Sequence, residues 1–195
     1  MNFDRKDWHV SIERINNEKG YTLDNVCLIC LEFNTHCQWN HNKIKDLILI
    51  LEKNTENNID FKEENLKYNF LKKLYNGAVS RTKERQNNKN SEKRDNTIDI
   101  TFEFLIKLFN KQKGLCYYSG IPLQFGSFKN KSWVTFLERK DPLKGYTQDN
   151  VCLICLEFQA TDRRVEYTNN DEGNSGWTKE KFQYFLNTVK ESNIF

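Results

Sequence analysis

The stretch "KGYTLDNVCLICLEF" at Lys19–Phe33 recurs as "KGYTQDNVCLICLEF" at Lys144–Phe158. The likeness extends upstream. Shifted by 125 residues, Trp8–Phe33 equals Trp133–Phe158 at 17 of 26 positions, which means duplication. Downstream, "WNHNK" at Trp39–Lys43 corresponds to "WTKEK" at Trp177–Lys181 after a longer, Asn- and Gly-rich connection. Two copies at so long a spacing make paired units rather than a solenoid array.

Within a copy the pattern is strand, loop, strand, helix. "WHVSIER" alternates, with Trp8, Val10 and Ile12 on one face and His9, Ser11 and Glu13 on the other. "NNEKGYTLDN" is rich in turn formers, and "VCLI" is a short apolar strand. "CLEFNTHCQW" is expected to start a helix, and further helices follow "WNHNK" and "WTKEK". Between the copies, Lys62–Asn76 is a helix with Leu66, Phe70, Leu71 and Leu74 on one side and Gly77 as its stop. A second helix starts at Thr101 as N-cap, carries Phe102, Leu105, Ile106 and Phe109, and ends at Gly114. The expected fold class is α+β, two hairpin-helix units joined by a helical basic segment. The boundaries are 1–55 for the first unit, 56–113 for the connector and 114–195 for the second.

Net charge is only +3, but it is unevenly spread. Lys67–Arg94 holds 9 Lys/Arg against 2 Asp/Glu, a local +7, leaving about −4 elsewhere. Such a segment predicts a polyanion partner or a solvated helix face. The opening "MNFDRKDWHV" lacks the apolar core of a signal peptide. "LILIL" at Leu47–Leu51 is far too short for a membrane span. Six Cys without a secretory signal predict free thiols in a reducing compartment, cytoplasm or nucleus.

"GLCYYSGIPL" at Gly114–Leu123 precedes the second copy, which continues as "WVTFLERKDPLKGYTQDNVCLICLEF". Together these resemble the HNH endonucleases of the ββα-metal fold. The closer resemblance is to a branch in phages and large viruses that reads SGI-P-L, S-x-E-R, GYT-x-DNV and C-x-E-F-N. "AVSRTKER" and "IDITFEFL" also look like parts of that branch. The first copy lacks a preceding C-x-x-S-G segment, and a truncated N-terminus is the expectation. What the resemblance implies is a Mg²⁺- or Mn²⁺-dependent DNA endonuclease, with RNA as an alternative substrate.

Phosphodiester hydrolysis needs an activated water, a cation on the phosphate and help for the leaving oxygen. A hard cation takes oxygen ligands. By the resemblance these are Glu13 and Asn34 in the first copy, Glu138 and Gln159 in the second. The family's middle Asn, tying loop to hairpin, falls on Asn25 and Asn150. Its usual general base, a His, falls on Arg14 and Arg139. Arginine stays protonated and cannot take the proton, although it can hold phosphate. His9 shares the strand face of Ser11 and Glu13, whereas Val134 and Phe136 flank Glu138. Gln159 is one methylene longer than Asn34. The expectation is therefore asymmetric, with the better metal chemistry in the first copy. The chain would act as an intramolecular pseudo-dimer, or one unit would cut while the other grips DNA.

"CLIC" occurs at Cys27/Cys30 and Cys152/Cys155. Zinc-bearing HNH proteins place one C-x-x-C before the hairpin and one at the helix start. Here those positions read Cys116-x-x-Ser119 and Cys155-x-x-Phe158, so two of four ligands are gone. Zinc is not expected, and the thiols are read as small buried hydrophobes. Lys72, Lys73, Arg81, Lys83 and Arg85 are the expected phosphate contacts. Two other classes remain open: a nucleic-acid-binding protein that kept the fold and lost the chemistry, and a protein-interaction module.

Overall fold

The computed structural model describes residues 8, 10–35, 37, 39–53, 61–87, 95–129, 131–159 and 176–192. The protein is mixed α+β, with four helices and two separate two-stranded antiparallel sheets among these residues.

The first hairpin pairs β1 (Val10–Arg14) with β2 (Val26–Cys30), and Glu13 stands opposite Cys27. The second pairs β3 (Thr135–Arg139) with β4 (Val151–Cys155), and Glu138 stands opposite Cys152. The registers are identical, as period-2 alternation in a duplicated sequence requires. Each hairpin runs into one 3-10 turn, Leu31–Phe33 and Leu156–Phe158. The helix expected from "CLEFNTHCQW" is therefore only that turn. Helix formation waits for a capping side chain. Asn40 accepts from Lys43 N at 2.9 Å to start α1 (His41–Glu52). Thr178 accepts from Lys181 N at 3.0 Å to start α4 (Lys179–Glu191).

Between the copies, α2 covers Phe61–Gln86 and α3 covers Phe102–Lys111. Gly77 does not stop α2. The Arg81 guanidinium lies over the bare glycine, with Nη1 3.4 Å from where a Cβ would stand. Thr101 caps α3 by accepting from Phe104 N at 3.1 Å. Lys113 and Gly114 end it with positive φ, and a Cβ on Gly114 would press on the Phe109 ring.

The connector helices pack on the second hairpin. Phe70 and Phe109 meet Phe125, with ring centroids 5.9 and 5.5 Å apart. The tight turn after α3 lies along the outer edge of β4. Tyr117 N donates to Leu153 O at 2.9 Å, and Gln112 Oε1 accepts from Leu153 N at 2.9 Å. The second hairpin is consequently buried along both strands. The first has no such cover among the described residues, and Val10, Ile12 and Leu28 are exposed.

The copies meet through exchanged contacts. Trp39 Nε1 donates to Glu157 O at 2.9 Å, and Trp177 Nε1 donates to Glu32 O at 3.2 Å. Lys43 pairs with Glu157 at 3.0 Å and Lys181 with Glu32 at 2.8 Å. Rings run in a string, Trp8–Trp177–Trp39–Trp133, with neighbouring centroids 5.8–6.4 Å apart. Phe33 and Phe158 pack against it. Trp8 and Trp133 share a left-handed backbone, φ 60° and 63°. Glu157 Oε1 holds that conformation in the second copy by accepting from Trp133 N at 2.9 Å.

Candidate functional site

In the first copy the 3-10 turn delivers Asn34 to the flank of β1. Its Nδ2 donates to Ser11 Oγ at 2.9 Å and to Ile12 O at 3.3 Å. Ser11 and Glu13 are two residues apart on one strand face, a spacing of roughly 7 Å. The amide thus stands on the face that carries the Glu13 carboxylate. Glu13 is half-buried, and its Oε1 accepts from Arg14 N at 3.0 Å. These two donations through Nδ2 fix the orientation of the Asn34 amide. A carboxylate and an amide oxygen are donors that suit a hard divalent cation. His9 and His36 lie outside the described residues, and His41 is the exposed first residue of α1.

Asn25 and Asn150 make equivalent clamps. Asn25 Oδ1 accepts from Asn16 N, and its Nδ2 donates to Asn16 O and Gly20 O, all within 3.0 Å. Asn150 does the same with Asp141 and Gly145. Arg14 Nη1 donates to Asn17 O and Lys19 O. Arg139 Nη1 donates to Pro142 O and Lys144 O. Both arginines thus brace a loop.

The second copy places the same residue types in a different setting. Glu138 is 1% exposed. Burial, with Cys152 and Glu138 nearby, pushes the Tyr118 hydroxyl well above its ordinary pKa. Phe136 replaces Ser11, so Gln159 has no hydroxyl there to anchor its amide. The Arg81 guanidinium lies 5.9 Å from the Phe136 ring centre. Glu13 and Asn34 therefore share a half-buried strand face, whereas Glu138 is enclosed. Among the described residues no three His, Cys, Asp or Glu side chains gather as a metal-binding group.

The five expected phosphate contacts on α2 divide into two kinds. Lys72, Lys73 and Lys83 are exposed. Arg81 and Arg85 are half-buried and crowd the Tyr146 ring, each 5.8 Å from its centre, with Arg139 at 5.3 Å. Arg81 Nε also donates to Tyr146 Oη at 3.1 Å.

The thiols split likewise. Cys116, Cys152 and Cys155 are buried, but Cys27 is exposed because β2 has no cover. Cys116 Sγ accepts from Cys155 N at 3.3 Å. Burial opposes ionisation of Cys116, but hydrogen bonds from Cys155 and Ser119 bring its pKa down to about 7. Cys116, Ser119 and Cys155 thus form one buried hydrogen-bonded cluster.

Sequence reasoning missed Glu32, Lys43, Glu157 and Lys181. The available signal was their recurrence: Glu precedes Phe in both copies, and Lys follows Trp by four in both. No known family, curated protein or solved structure matches the chain.

Proposed function

We propose that the chain is an HNH-type, divalent-metal-dependent endonuclease with two ββα units, of which the first carries the working site. The observation that carries this reading is the anchored Asn34 amide on the half-buried strand face that also carries Glu13, set against Glu138 at 1% exposure. Glu13 and Asn34 would hold the cation, with phosphate and water as remaining ligands. The cation would polarise the scissile phosphate. Arg14 orders the loop, and a guanidinium offers no acceptor to serve as base. DNA phosphates would lie along Lys72, Lys73 and Lys83, and the second unit would grip rather than cut.

The test is nicking of supercoiled plasmid with Mg²⁺ or Mn²⁺ against EDTA. Glu13→Ala and Asn34→Ala should abolish nicking, a loss of at least 100-fold, while Gln159→Ala costs little. Equal loss from Glu138→Ala or Gln159→Ala would overturn the asymmetry. No metal-dependent cleavage alongside retained DNA binding would leave the second reading, a binding protein on the same scaffold. The loop-bound arginines at the general-base position favour that reading.

A further inference from the structure

A cavity of about 1070 Å³ lies between α3, the turn Leu115–Gly120, the start of β4 and α4, and Leu51 of α1 also lines it. Neither Glu13 nor the α2 lysines line it. Leu108, Leu115, Phe182 and Leu186 give it an apolar floor. Five lysines stand around that floor: Lys107, Lys111, Lys140, Lys179 and Lys190. Among the described residues the one carboxylate in the lining is Asp149, which accepts from Thr147 Oγ1 at 2.6 Å. Tyr117 lies beside two of the lysines. Lys179 Nζ is 4.6 Å and Lys140 Nζ 5.5 Å from its ring centre.

Duplication supplies an internal control. In the first copy the positions of Lys140, Lys179 and Lys190 are occupied by Ile15, His41 and Glu52. The scaffold therefore folds without lysine at these positions. Five like charges around one concavity repel one another and focus positive potential into it. Phosphates relieve that repulsion, and an aromatic ring beside an apolar floor accepts the flat face of a base. The volume matches or exceeds ordinary ligand pockets, roughly 300–1,000 Å³, so the opening is too large for a lone small anion.

We propose that this cavity binds a single strand of nucleic acid, with phosphates on the lysines and an unstacked base against Tyr117. This rests on the nucleic-acid reading above and assigns to the second unit the surface with which it grips. The test is fluorescence anisotropy of the full chain with labelled dT12 and with a duplex of equal length, across a salt series. The exposed pair Lys179→Glu/Lys190→Glu should weaken dT12 binding at least tenfold. It should also flatten the salt slope by about 1.4, two contacts at roughly 0.7 each. Duplex binding should fall less, and Lys129→Glu, outside the cavity, should change neither. Tyr117→Leu should weaken dT12 binding without altering the slope. Unchanged dT12 affinity and slope in the double variant, with wild-type binding intact, would overturn the cavity and leave the nuclease reading standing. Equal loss on duplex, or displacement of dT12 by equimolar dTMP, would also overturn the strand as occupant. Wild-type protein that binds no nucleic acid at all would remove both readings.

Discussion

Gly20 and Gly145 occupy the same place in the same "KGYT" motif, yet their surroundings differ. A Cβ on Gly20 would meet nothing within 4 Å, whereas one on Gly145 would run into the Thr97 carbonyl oxygen. That carbonyl also accepts from Tyr146 N at 2.9 Å, so it has no room to retreat. Gly145→Ala should destabilise the protein by about 1–3 kcal/mol or more. Gly20→Ala should stay within about 0.5 kcal/mol. Urea denaturation of the two variants measures the contrast. Glu32 gives a second prediction at this scale. It is fully buried and paired with Lys181, whose side chain is 6% exposed. Glu32→Ala strands a buried ammonium and should cost about 3–5 kcal/mol, whereas Glu32→Leu with Lys181→Met should recover most of that loss. A double variant no more stable than the single would refute the pairing as the cause.

At the scale of elements, the paired strands of each copy were legible in the sequence because alternation and duplication mark them together. Thr101 as a cap was legible because its hydroxyl acts locally. Gly77 misled because its role is tertiary: it makes room for Arg81, which its own helix turn brings alongside. Glu32 and Glu157 were invisible as a site because their partners lie more than a hundred residues away. The enclosure of Glu138 was foreshadowed by Val134 and Phe136, but the turn and helix that complete it come from elsewhere in the chain. The edge of β4 shows what such cover is worth. Leu153 is fully buried beneath Gln112–Tyr117, while its equivalent Leu28 is 72% exposed. Leu153→Ala should cost about 2–5 kcal/mol. Leu28→Ala should change stability by no more than about 0.5 kcal/mol. Similar losses at both positions would mean that the first hairpin is covered in solution.

At the scale of the molecule, neither copy completes its own packing. Each lends a tryptophan and a lysine to the turn of the other. No helix among the described residues is long and apolar enough to cross a membrane. The basic surfaces are also two: exposed lysines along α2, and the lysine-walled cavity against α4. One unit is open at its strand face and the other is enclosed, on a scaffold with one register. The string Trp8–Trp177–Trp39–Trp133 has a practical consequence as well. These four rings are all the indoles in the chain, and every one sits where the copies touch. Tryptophan fluorescence, excited selectively over the tyrosines, therefore watches the seam alone, while far-ultraviolet dichroism watches the helices. If the copies separate before they unfold, emission will shift to the red at lower urea than the helical signal is lost. Coincident curves would show docking and folding to be one event.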